Sequence, residues 1–170
     1  IGNRAYSAKD PKARTLILLS NLLGGPGMNS RLNLGIREKY GFTYTIESNY
    51  TTYFDTGVWS IYFGTEPQSV KKTIKLILKE LKKLRTKKLG PVQLKKAKQQ
   101  LIGQLAIAQE NNCNLMQSNA KSYQAFGRVA SVKETKEKIM AITAEDLQEV
   151  AKEIFREEQL STIIYEPKDL

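Results

Sequence analysis

The chain has 170 residues, 41% of them apolar and 26% charged, with a net charge of +10. That is enough chain to bury roughly 70% of its unfolded surface in one core, which excludes a disordered chain, a collagen-like chain and a disulfide mini-protein. The single Cys113 leaves no internal disulfide, and the absence of histidine excludes Ser-His-Asp and Cys-His couples and any zinc site built on imidazole.

In chain order, IGNRAYS reads as a short strand. Asp10-Pro11 then offers an N-cap acceptor and a proline at the first helical position. The helix that follows, carrying Leu16, Ile17, Leu18, Leu19, Leu22 and Leu23, is apolar almost all round, as a buried helix would be. It stops at Gly24-Gly25-Pro26-Gly27. A second helix is expected after Asn29 or Ser30, through RLNLGIREK to Gly41. From Phe42 to Gly64 the apolar period changes to two, predicting a β-hairpin with Asp55-Thr56-Gly57 at its turn.

Glu66-Pro67 opens a lysine-faced helix ending near Gly90, and Pro91 starts another with Leu94, Ala97, Leu101, Leu105 and Ala108 at helical spacing. Ser131 with Glu134, and Thr143 with Asp146, have the spacing of capping boxes for two more helices. LSTIIYE (160–166) is expected to close the chain as a strand. Two strands joined by a tight turn are antiparallel, so the predicted class is α+β: an antiparallel sheet backed by helices on one face, in a single domain over 1–170. No run reaches the ~18 apolar residues that a membrane span needs. Lacking an initiator Met and a signal-peptide layout, the start at Ile1 reads as a processed or excised piece. Its compartment is unread, with a soluble, cytoplasmic protein as the default expectation.

The positive charge is concentrated. Residues 71–98 hold 12 Lys/Arg and one acid, Glu80, while the rest of the chain holds 15 basic and 16 acidic residues. Val70, Ile74, Ile77, Leu81 and Leu84 form one stripe of this helix, and Lys71, Lys72, Lys75, Lys79, Lys82 and Lys83 occupy the other side. A solvated helix face is the first reading and an anion-attracting surface the second. Arg is sparse and no aromatic is interleaved within the run, which argues against nucleic acid as a partner.

Four constellations bear on chemistry. Gly24-Gly25-Pro26-Gly27 is not a P-loop, because no Lys-Ser/Thr pair follows and the run comes after a helix. Glu145/Asp146 and Glu157/Glu158 are sequence neighbours and read as surface charge. Cys113 has no base to activate it. Arg37 and Tyr44 are seven residues apart across a helix end, a glycine and a strand start. That bend allows both side chains into one cleft, offering a guanidinium fork and a phenol to a peptide carbonyl or developing oxyanion. The bland alternative pairs Arg37 with a surface acid and packs Tyr44 on the sheet.

LLGGPGMNSRLNLGIREKYGFTYTIESNY resembles the second half of the inverted-zincin metallopeptidases, the pitrilysin and mitochondrial processing peptidase family. The pattern is a Gly-rich loop, S-R-L, R-E-[KQ]-x-G-[LF]-x-Y and a hairpin. In that family two similar α+β domains close around a cavity; the first carries H-x-x-E-H and a downstream Glu and holds zinc. With no histidine, this chain resembles the other, metal-free half. The resemblance implies zinc in a partner half, on the same polypeptide or a separate subunit. It also implies an extended peptide as substrate, taken up in part by β-augmentation at the hairpin. It assigns Arg37 and Tyr44 a role in binding substrate near the zinc and supporting the oxyanion. Gly24, Gly25, Gly27, Ser30 and Arg31 match the end of the family's substrate-contacting glycine loop, whose glycine tract is much shorter here. The expected function is the non-catalytic, substrate-binding half of a zinc metalloendopeptidase. The alternatives are a degenerate structural subunit that cuts nothing, or an anion-binding module using the lysine helix.

Overall fold

The computed structural model describes residues 1–166. Three antiparallel strands form one sheet, β1 (Gly2–Ala5), β2 (Thr43–Thr52) and β3 (Gly57–Thr65), in the order β1-β3-β2. The helices are α1 (Ala13–Gly24), α2 (Val70–Thr86), α3 (Pro91–Gln109), α4 (Asn112–Phe126), α5 (Val132–Ala141) and α6 (Ala144–Ile154), with a π-helical turn at Asn33–Glu38. The α+β class follows, as the alternating strands and apolar-striped helices require.

The inward faces of the hairpin present Ile46 and Ser48 from β2 and Trp59 and Ile61 from β3, all buried. Against them lie Leu16, Leu19 and Leu23 of α1, Ile77, Leu81 and Leu84 of α2, and Leu147, Val150 and Ile154 of α6, in one hydrophobic cluster. Trp59 packs on Phe155 with ring centroids 4.5 Å apart and the planes tilted by 40°, and its indole N–H donates to Ser48 Oγ at 3.0 Å. Ser48 Oγ also meets Ser20 Oγ at 2.8 Å, so α1, β2 and β3 share one buried polar junction. A buried indole N–H left without a partner would cost about 1–3 kcal/mol, so Ser48 serves the core rather than a surface.

Of the two expected capping boxes, Thr143 and Asp146 form the full reciprocal pair at the start of α6, whereas at α5 Ser131 Oγ accepts from Glu134 N but the Glu134 carboxylate turns to Arg128 and Lys138. Three boundaries differ from expectation. Helix α1 begins at Ala13 because Asp10 closes a turn first, its Oδ1 accepting from Lys12 N at 2.7 Å. The closing segment pairs with β1 only at Ser161, through two bonds to Gly2 of 2.9 Å, and 162–166 is exposed rather than a strand. Helix α4 occupies a stretch with no apolar stripe to announce it. Among the described residues no helix is long and apolar enough to cross a membrane.

Candidate functional site

The approach to the site begins at Gly41. The π-helical turn buries Ile36, with Leu32 buried just before it, and carries Arg37 in its last turn. Gly41 ends it at φ 63, its N–H donating to Arg37 O at 2.9 Å, and only a residue without Cβ takes that left-handed conformation cheaply. The chain reverses there into β2.

Tyr44 is the next decisive residue. Thr43 pairs with Thr65 and Thr45 pairs with Gly64, so Tyr44 is an extra residue without a partner on β3, a β-bulge. A regular strand would alternate. Here Thr43 points in, Tyr44 and Thr45 both face out, and Ile46 points in again. Bulges re-aim side chains in this way at the cost of one ladder position. Tyr44 is consequently 71% exposed rather than packed on the sheet.

Arg37 and Tyr44 both line a cleft of about 300 Å³, together with Gly25, Pro26, Met28 and Asn33, and with Thr45, Ile46 and Glu47 along the β2 edge. The carboxylate nearest Arg37 is that of Glu38, and at 3.9 Å it is too far for a tight ion pair. The guanidinium therefore keeps donors for another acceptor. Tyr44 Oη donates to Glu66 Oε1 at 3.2 Å, and that hydrogen bond, with the carboxylate's charge, raises the phenol above its ordinary value of 10.0. Tyr44 thus stays a neutral O–H donor at physiological pH, held by a long bond that exchanges easily. Glu66 is anchored in turn by Gln68 Nε2 at 2.8 Å. Nothing in the sequence marked Glu66 beyond its place before Pro67.

The glycine loop divides. Gly25 lines the cleft, but Gly24 is pressed against β2, where an added Cβ would lie 2.5 Å from Ser48 N. Gly27 faces Asn29 and Gln100. Ser30 is buried and its Oγ accepts from Asn33 Nδ2 at 2.8 Å, holding the turn that carries Arg37. Arg31 reaches away to Glu80 of α2, Nε to Oε1 2.6 Å, and ties the loop to that helix. Two other recesses among the described residues, about 590 and 570 Å³, lie at the hairpin tip against α4 and along β1 and β3, and neither includes Arg37 or Tyr44. Among the described residues no group of three or more Cys, Asp or Glu is placed to hold a metal ion.

Residues 1–101 match the peptidase M16 inactive domain. The chain belongs to the peptidase M16 family, as its inactive domain. Across its whole length it is 34% identical to a protein of Rickettsia felis named a zinc protease, covering 45% of that protein. It is 28% identical to a Neurospora crassa protein named mitochondrial-processing peptidase subunit alpha, over 77% of this chain and 24% of that one. The fold is shared with a Helicobacter pylori protease structure at a TM-score of 0.82 and 22% identity, covering 93% of this chain and 38% of that one. The inactive domain thus spans less than half the length of the relatives it matches.

Proposed function

We propose that this M16 inactive domain is the substrate-binding half of a zinc metalloendopeptidase, and that Arg37 and Tyr44 act on the substrate carbonyl. The bulge at Tyr44 supports this most directly, because it turns the tyrosine out of the sheet so that it lines, with Arg37 and Gly25, the cleft along β2. The zinc belongs to the other half, either upstream on the same polypeptide or a separate subunit, since a chain without histidine has no imidazole to give. Bound there, zinc supplies Lewis-acid chemistry to a water.

An extended peptide is taken up along the β2 edge at 44–47, where β2 is the outer strand of the sheet. Unpaired backbone N–H and C=O groups on such an edge accept one more strand. When water adds to the scissile carbonyl, its oxygen gains negative charge. The Arg37 guanidinium and the Tyr44 O–H donate to it, and the phenol leaves Glu66 to do so. Arg31 and Ser30 position the loop rather than touch the reacting atoms, while Gly25 borders the cleft and has no room for a Cβ because Asn21 O and Nδ2 would lie 2.6 and 2.7 Å from it.

Removal of one such donor typically costs ~10²–10³ in rate. Tyr44→Phe should therefore lower turnover of the assembled enzyme on a quenched peptide by at least about tenfold, with the unfolding transition unchanged. Turnover equal to the parent would remove Tyr44 from the mechanism. A stable complex with the zinc-motif half that cleaves nothing would favour the structural-subunit reading instead.

A further inference from the structure

The lysine helix holds a second surface, remote in chemistry from the cleft. Helix α2 buries Thr73, Ile77, Leu81 and Leu84 and turns its lysines outward. Its single acid, Glu80, is fully engaged, by Arg31 on one oxygen at 2.6 Å and Lys83 on the other at 2.8 Å. Among the described residues, Lys71, Lys72, Lys75, Lys79 and Lys82 have no carboxylate within ion-pair distance.

Beside this uncompensated charge lies an aromatic pair. Tyr40 and Phe42, flanking Gly41, stack with centroids 5.3 Å apart at 18°. With Leu76 they floor a recess of about 250 Å³ whose rim is Lys72, Lys75 and Lys79. Tyr40 is 43% exposed. Lys39 and Lys72 sit over the two rings, 5.4 and 5.8 Å from their centroids.

We propose that this recess is a docking site for an acidic segment of a partner protein, one that carries a large apolar side chain flanked by Asp or Glu. The shape decides against a lipid bilayer, which is entered by protruding apolar tips. Here the aromatics line a depression beneath the lysine heads, and the apolar face of α2 is spent on the core. The floor accepts a Leu or Phe side chain, whose burial supplies affinity in proportion to the apolar area removed from water. The lysine rim supplies charge complementarity that falls with salt. Lysine, a point charge on a flexible stem, suits carboxylates at variable spacing better than one fixed bidentate partner. The recess shares no lining residue with the cleft of Arg37 and Tyr44, so absence of peptide binding here would leave the peptidase reading standing.

The test is fluorescence anisotropy on the intact protein with a labelled Asp/Glu-rich peptide carrying a central Leu-Phe pair. A peptide of equal charge with a Ser-Gly centre and phosphatidylglycerol vesicles are run beside it. Saturable binding of the Leu-Phe peptide is expected, weakened at least about tenfold by Lys72→Glu with Lys75→Glu and by the Ser-Gly centre. Tyr40→Ser should erase the preference between the two peptides. Equal affinity for both peptides would overturn the proposal in favour of a non-specific charged face. Vesicle binding without peptide binding, or no binding at all, would overturn it as well.

Discussion

Gly24, the last residue of α1, and Gly35, inside the π-helical turn, lie eleven residues apart and face opposite environments. A Cβ on Gly24 would stand 2.5 Å from Ser48 N, 2.9 Å from Ser48 Cβ and 3.1 Å from Glu47 C. The obstacles are strand backbone and the Ser48 side chain that already bonds Ser20 and Trp59, so neither yields cheaply. Overpacking of this kind costs typically ~1–3 kcal/mol, and Gly24→Ala should lose about that much in denaturant unfolding. A Cβ on Gly35 meets nothing within 4 Å, and Gly35→Ala should be neutral or slightly stabilising. Equal stability of the two variants would show that α1 does not press on β2 at Gly24. Position 24 therefore needs a glycine because the end of α1 lies against β2, and Gly25 is the one that borders the cleft.

At the scale of elements, what the sequence made legible was local. The hairpin, the apolar α1, the stripe of α2 and the two capping motifs each rest on residues within one turn or one strand pair. The bulge that aims Tyr44 was not legible, because it depends on the register of β2 against β3: Thr43 opposite Thr65 and Thr45 opposite Gly64. The spacing of Arg37 and Tyr44 permitted a shared cleft but left a packed tyrosine equally open. The closing strand failed for the complementary reason. Its β-branched residues suit a strand, but pairing needs a partner, and β1 meets it only at Gly2. Helix α4 was invisible to periodicity because it buries no residue at all. Only its end signals could have found it: Asn111 accepting from Cys113 N and Asn114 N, and Gly127 at φ 67. A helix so placed gains little from packing, and most helical stability in proteins comes from a buried face. In hydrogen exchange of this chain, α4 amides should exchange well before those of α1 or α6. Protection of α4 equal to that of α1 would mean that it is held by more than its contacts with α3.

The whole molecule is closed by a polar clamp between its beginning and its last helix. Asn3 Nδ2 donates to Ile154 O at 2.8 Å, Tyr6 Oη donates to Glu153, and Lys12 Nζ reaches Glu149 and Glu153, each at 2.7 Å. Burial alone would raise the Glu153 carboxyl, but Lys12 and Tyr6 outweigh it and hold it below its ordinary 4.5. Glu80 is treated likewise: burial raises it, and Lys83 and Arg31 bring it lower. A carboxyl depressed in the folded state contributes stability that is present above about pH 4.5 and is lost as pH falls through the folded value. The phenols act at the other end. Burial first, then the Glu153 hydrogen bond and charge, raise Tyr6 well above 10.0, and burial with the charge of Asp10 pushes Tyr50 up to about 12. The unfolded chain releases these protons near pH 10 while the folded chain holds them, so stability is full below that pH and falls as it rises. With no histidine in the sequence, no imidazole titrates between the two flanks. The melting temperature should therefore form a broad plateau bounded by an acid and an alkaline decline. Glu153→Gln should lower the plateau and flatten chiefly the acid side, whereas Tyr6→Phe should flatten chiefly the alkaline side and, by removing one donor to Glu153, a smaller part of the acid side. An acid slope unchanged in Glu153→Gln would place the acid sensitivity outside the clamp, with Glu80 as the next carboxyl to replace.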